Sequence, residues 1–216
     1  MSDDNALQKA VLDELKWEPS VTAAHIGVTA NDGVVTLTGH VESFVERHAA
    51  EAAAHRVKGV KAVSQEIEVR LPFDRRRGDD EIAAAILERL SWDAAIPHDA
   101  VTVNVENGWV TLNGKVDWYY QKESAEQDVR KLIGVTGISN QIEIKQKAET
   151  DDILDEIMRA LNRAGISDPD TIRASVHKGK ITLTGNVHSW RERQAAAEAV
   201  WASPATISVV NNLTIL

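Results

Sequence analysis

Seven histidines, the serines and several glycine pairs are the residues of this 216-residue chain whose types could do chemistry. They would serve as metal ligands or general bases, as nucleophiles, and as cradles for phosphate. Spacing argues against each. His25, His40, His48, His55, His98, His177 and His188 form no HExxH or paired-ligand pattern. His48 and His55 lie two helical turns apart, and an exposed polar helix face accounts for them. No serine sits in a Gly-x-Ser-x-Gly elbow, and no glycine pair has the GxGxxG or GxxxxGK spacing of a phosphate loop. Cysteine is absent, which removes disulfides, thiolate metal sites and a thiol nucleophile. The reading is a chain with no catalytic residues, no metal and no cofactor.

Binding chemistry is better represented. The formal net charge is −9, yet Arg70-Leu71-Pro72-Phe73-Asp74-Arg75-Arg76-Arg77 carries +3. At about 1 kcal/mol per basic residue near an anionic surface, that stretch could supply roughly 3 kcal/mol, with Phe73 available to enter an interface. The same residues also fit a solvated linker that neutralises acidic neighbours. Trp109 and Trp118 add two indoles at positions predicted to point outward, which nominates a surface for lipid or protein; packing against a neighbouring repeat is the alternative. Trp17 and Trp92 occupy one repeat position at the end of a predicted helix and read as structural, and Trp201 reads as a domain contact. The cationic patch is too short, and the rest of the chain too acidic, to favour nucleic acid.

The elements that must position these residues come from a repeat. Gly33-Val-Val-Thr-Leu-Thr-Gly39, Gly108-Trp-Val-Thr-Leu-Asn-Gly114 and Gly179-Lys-Ile-Thr-Leu-Thr-Gly185 each predict a strand with one buried face, entered through a hairpin turn at Asp32-Gly33, Asn107-Gly108 or Lys178-Gly179. Three copies superpose without a gap at constant offsets of 75 and 71, which gives domains at 3–69, 78–144 and 149–215. A basic linker at 70–77 and a second linker at 145–148, carrying +2, join them. The copies carry −5, −7 and −2, so positive charge concentrates between domains and not within them. Each copy starts with an acidic helix cap (Asp3-Asp4, Asp79-Asp80, Asp151-Asp152) and apolar residues at helical spacing such as Leu7, Val11, Leu12 and Leu15. A strand, the glycine-bounded strand, a second helix opened by Phe44, Tyr119 or Trp190, and a closing strand follow. An amide recurs on the closing strand at Gln65, Asn140 and Asn211, where it fits a buried group satisfying backbone atoms or a ligand contact.

This α-β-β-α-β order, with the Gly-x-Val-x-Leu-x-Gly strand and the closing Gly59-Val60-Lys61-Ala62-Val63-Ser64-Gln65-Glu66-Ile67-Glu68-Val69 and Gly134-Val135-Thr136-Gly137-Ile138-Ser139-Asn140-Gln141-Ile142-Glu143-Ile144, resembles the BON domain. That module occurs in bacterial osmotically induced and nodulation-related proteins. The third copy departs from the pattern, with Pro204-Ala205-Thr206 at its last turn. Gly33, Gly39, Gly59, Gly108, Gly114, Gly134, Gly179 and Gly185 are the motif glycines. The fold expected is α+β: three tandem units, each a small three-stranded mixed sheet with two helices on one face. The resemblance implies a stress-associated, non-enzymatic binding protein acting on phospholipid or envelope surfaces, with Arg70, Phe73, Arg75, Arg76, Arg77, Trp109 and Trp118 as candidate contacts. Alternatives are a protein-interaction or oligomerising scaffold and a small-ion (potassium) sensor. No apolar run approaches the length of a membrane span, so the chain is not membrane-spanning. An acidic start without a basic or apolar leader reads as cytoplasmic; a chain trimmed of a leader would be periplasmic.

Overall fold

The computed structural model describes residues 2–145 and 153–216, Ser2 in backbone only; the cap at Asp151-Asp152 and residues 146–148 of the second linker lie outside them. Three α-β-β-α-β units follow one another. The first comprises α1 (Ser2–Trp17), β1 (Ile26–Asn31), β2 (Val34–Val41), α2 (Phe44–Arg56) and β3 (Ala62–Val69). The second comprises α3 (Asp79–Trp92), β4 (Val101–Glu106), β5 (Trp109–Val116), α4 (Tyr119–Arg130) and β6 (Gly137–Ile144). The third comprises α5 (Ile153–Arg163), β7 (Arg173–His177), β8 (Lys180–Val187), α6 (Trp190–Trp201) and β9 (Ser208–Ile215).

In every unit the glycine-bounded strand is central, antiparallel to the strand before it and parallel to the closing strand. The parallel return is possible because a helix supplies the crossover. The hairpins turn through residues of positive φ, Asp32 at 50° with Gly33 at 85° and Asn107 at 53° with Gly108 at 78°. Both central residues of a type I′ turn require that conformation, which asparagine, aspartate and glycine reach at least cost. The acidic caps tie helix to hairpin: the Asp32 amide donates to the Asp4 carboxylate at 2.9 Å, and the Asn107 and Gly108 amides donate to Asp79 at 2.8 and 2.9 Å.

Alternation along the central strand sends Val35, Leu37 and Val41 to the helical side, where they are buried with Val11, Leu15, Ala50 and Ala54. Alanines on α2 let the helix lie close to the sheet. The recurring amide is structural and bridges strand to helix. Asn140 donates to the Lys122 carbonyl at 2.9 Å and accepts from its own strand's Ile142 amide at 3.2 Å; Asn211 makes the same pair with Arg193 and Leu213. A carboxylate or amide in the first turn of each second helix accepts from the chain entering that helix and, in the first and third units, from the loop before the first strand. Glu46 accepts from the Thr22 and Glu42 amides, Gln121 from Asp117 and Trp118, and Glu192 from Ser167 and His188. The last turn of the third copy is built differently. Ala205 stands where Gly59 and Gly134 adopt φ of 93° and 96°, and buried Thr206 donates its hydroxyl to the Val200 carbonyl at 2.7 Å.

The second helices also hold the units to one another, in a cyclic order. Phe44 of α2 packs on the core of the second unit, Tyr119 of α4 stacks on Trp201 of α6 at 4.1 Å, and Trp190 of α6 stacks on His55 of α2 at 3.7 Å. Phe44, Tyr119 and Trp190 are one repeat position, and His55, Arg130 and Trp201 are another. Each unit thus presents the start of its second helix to the end of the next, and the third closes onto the first.

Candidate binding surface

The linker between the first two units leaves β3 at Arg70 and makes one 3-10 turn, Phe73–Arg75, before α3. Pro72 fixes the approach to that turn and removes one amide donor. Phe73, at 89% exposure, is the most solvent-open large apolar side chain among the described residues. Of the four arginines, Arg70 pairs with Glu68 at 2.7 Å. Arg76 donates to the Leu71 carbonyl at 3.1 Å and Arg77 to the carbonyls of Asp74 and Arg76 at 2.9 and 2.8 Å. Among the described residues, none of Arg75, Arg76 and Arg77 forms an ion pair with a carboxylate. Two of these guanidinium groups, those of Arg76 and Arg77, are held by backbone carbonyls, and among the described residues all three charges are left without a carboxylate, in a chain that has an excess of carboxylates.

Arg70, Arg76 and Arg77 line a cleft of 460 Å³ together with Asn107, Gly108 and Thr136 of the second unit. The turn at Asn107-Gly108 leads directly into Trp109, so the fold brings this indole's hairpin to the linker. Trp109 itself lies over Gly137, its register partner on β6, and a Cβ on that glycine would stand 2.3 Å from the ring. Its packing is within its own sheet, with 47% of the residue still exposed. Trp118 lies two residues past the other end of β5, a strand that spans roughly 23 Å. It occupies the N-cap of α4, where Ser43 and Ser189 cap the other two helices with their hydroxyls, and it is 37% exposed. The linker thus meets the turn that leads into Trp109, whose ring lies over Gly137, and Trp118 belongs to another region.

Two readings of the aromatic and histidine residues require correction. Trp17 and Trp92, expected to be structural, are 83% and 81% exposed. The helical period explains this, because a residue two positions beyond Leu15 or Leu90 falls on the opposite side from the buried stripe. His55, expected on a solvated face, lies against Trp190 at a unit junction, with its side chain 12% exposed. His48 meets Arg130 of the second unit at 2.7 Å. Burial, followed by the Arg130 charge, holds the His48 imidazole below its usual pKa. These partners come from a different copy of the repeat, which a one-copy reading of periodicity does not reach. Among the described residues no group of three or more histidine and carboxylate side chains is placed to hold a metal ion, and no helix is long and apolar enough to cross a membrane.

Comparison with known proteins matches the BON domain to residues 3–70, 78–146 and 149–216. Osmotically-inducible protein Y of Escherichia coli (strain K12) is 31% identical over 147 residues, covering 66% of this chain and 73% of that protein. Two structures of CdsD, a structural protein of the Type III secretion system of Chlamydia trachomatis, align at 14% identity. One covers 98% of this chain and 92% of its own with a TM-score of 0.27, and the other, the C-terminal domain, covers 97% of each with 0.28.

Proposed function

The chain belongs to the BON domain family, and from that premise we propose that it is a non-enzymatic, osmotic-stress-associated protein that attaches to anionic phospholipid or envelope surfaces through several weak sites. The osmotically inducible relative supports the stress association. The observation that carries the surface reading is the linker: Arg75, Arg76 and Arg77, which pair with no carboxylate among the described residues, beside a Phe73 that is 89% exposed. Cations that the protein leaves unneutralised within an acidic molecule are available to lipid phosphates, and an exposed ring beside them can enter the interface. Trp109 and its hairpin extend the same region, while Trp118 offers a second, separate contact. Weak contacts on linked units gain strength by engaging together.

Sedimentation with vesicles of phosphatidylglycerol or phosphatidylcholine, over a salt series, tests this. The native chain is expected to bind the anionic vesicles alone and to release as salt rises. Arg75/Arg76/Arg77→Ala should weaken partitioning by about 150-fold, the equivalent of about 3 kcal/mol. Absence of binding to anionic vesicles at low salt overturns the reading. A protein-interaction scaffold is the second reading, favoured by the exposure of Trp17 and Trp92 at one repeat position; it predicts a mass that rises with concentration and no response to lipid.

A further inference from the structure

The three junctions between units are built from equivalent positions but are not equally filled. Ring stacks fill the helix-to-helix contact at two of them, Tyr119 on Trp201 and Trp190 on His55, while a cleft of 510 Å³ between the two sheets remains beside Trp201 and is lined by Lys122 and Glu143 together. At the remaining junction the equivalent pair is Phe44 and Arg130, and a cleft of 280 Å³ opens there. Phe44, Leu71, Leu132 and Val135 line it, with Val45 and Ile133 at its rim, 41% and 57% exposed. The positions equivalent to Ile133 hold Lys58 and Pro204, and those equivalent to Val45 hold Tyr120 and Arg191. The exposed aliphatic rim therefore belongs to this junction alone.

Charge identifies what it suits. Arg75, Arg130 and Lys131 line the cleft with one carboxylate residue, Glu42. Arg130 pairs with Glu126 at 2.8 Å, yet its Nε–H is buried without an acceptor. Arg75 and Lys131 form no ion pair among the described residues. An aliphatic cleft edged by unpaired cations complements a molecule that joins an anionic head to a hydrocarbon tail. We propose that the cleft seats part of one acyl chain of an anionic bilayer phospholipid, with Arg75 and Lys131 on its phosphate. The proposal rests on the surface-attachment reading and specifies where the protein grips the lipid. Ordinary ligand pockets run to roughly 300–1,000 Å³, so a cleft of 280 Å³ takes one segment of chain and leaves the rest in the bilayer.

The test is titration of the full chain, by calorimetry, with dihexanoyl phosphatidylglycerol below its micelle concentration, with dihexanoyl phosphatidylcholine and with deacylated glycerophosphoglycerol, alongside vesicle sedimentation. The acylated anionic lipid is expected to bind at least tenfold more tightly than either comparator. Val45→Asn with Ile133→Asn should weaken it about tenfold by removing aliphatic contact. Both side chains are substantially exposed, so the variant is expected to keep the native circular dichroism spectrum. Ile133→Lys provides an independent check, since Lys58 occupies the equivalent position of the first unit. It should lose the acyl-dependent increment yet still sediment with anionic vesicles, because the added charge, about 1 kcal/mol near an anionic surface, offsets most of the lost aliphatic contact. Equal affinity for acylated and deacylated probes, or indifference to both substitutions, overturns the cleft. If the native chain still sediments with anionic vesicles in that case, only the cleft fails; if it does not, surface attachment fails with it.

Discussion

Replacing Gly114 by alanine should destabilise the second unit more than almost any other single-methyl change in the chain. This glycine closes the repeated strand motif and pairs with Val101 on β4. Its φ is 145°, and a Cβ built on it would stand 2.0 Å from the carbonyl oxygen of Ala100, a backbone atom that cannot rotate away. A side chain held at such a φ costs about 1–3 kcal/mol, and the backbone displacement needed to admit it costs about 1–3 kcal/mol more. The expected loss is about 4 kcal/mol, a large share of the roughly 5–15 kcal/mol that holds a domain together. Gly165 supplies the control. Its φ is also positive, at 71°, but no atom lies within 4 Å of its added Cβ, so Gly165→Ala carries only the conformational cost, about 1–2 kcal/mol. Native-state hydrogen exchange on the full chain reads the units separately, which a single melting curve of a three-unit protein does not. Amides of β4 and β5 should lose protection in Gly114→Ala while those of the first and third units keep theirs. Equal protection in Gly114→Ala and Gly165→Ala would refute the argument that close backbone approach fixes this glycine.

Glu46→Ala should cost about 2–3 kcal/mol by stranding the Thr22 and Glu42 amides, whereas Glu46→Gln, the residue type at the equivalent Gln121, should cost about 1 kcal/mol or less; urea unfolding followed by circular dichroism compares them. Trp201→Ala removes the stack on Tyr119 and should cost about 2 kcal/mol, about half of it from the ring pair, read as a loosened junction between the second and third units by hydrogen exchange on α4. Trp17→Ser with Trp92→Ser should leave stability within about 0.5 kcal/mol, because both rings are in solvent; a larger change in unfolding midpoint contradicts that placement. The His48 pKa is depressed in the folded chain, so the unfolded chain takes up the proton first. Stability from this site is complete above about pH 6.5 and falls as pH drops through 6.5 towards the lower folded value, and melting temperatures from pH 7.5 to 5.5 should show the decline flattened in His48→Gln.

The units were legible in the sequence because each is specified by short-range chemistry. The turns at Asp32-Gly33 and Asn107-Gly108, the alternation of Val35 and Leu37, and the helical spacing of Val11 and Leu15 are all local signals, and the three-stranded mixed sheets with two helices on one face follow from them. What holds unit to unit was not legible to the same degree. Trp201 reads as a domain contact because a large ring beside Val200 exceeds what one small core needs, but its partner, Tyr119, lies 82 positions earlier. His55 shows no sign of its stack on Trp190, since the apolar residues beside it, Ala54 and Val57, are accounted for by the core of its own unit. The cleft at the first junction was hidden for a further reason: it depends on comparing Phe44 and Arg130 with the ring pairs that fill the same place elsewhere.

That comparison also bears on where binding resides in a repeat protein. Positions shared by all three copies carry the scaffold: the hairpin glycines, the strand-to-helix amide, and the acceptor three residues into each second helix. Each of these satisfies a backbone requirement, so each copy must keep it, and none distinguishes one unit from another. A partner-binding site on such a chain has to be made from positions where the copies differ. Several such differences gather around one seam, in the three arginines after Phe73, in Ile133 against Lys58 and Pro204, and in Arg130 against His55 and Trp201. The linker that brings the arginines to this seam also delivers Leu71 to its cleft. Cations and aliphatic surface, which would be separate and weak on isolated units, are brought to one junction by the way the second helices close on one another.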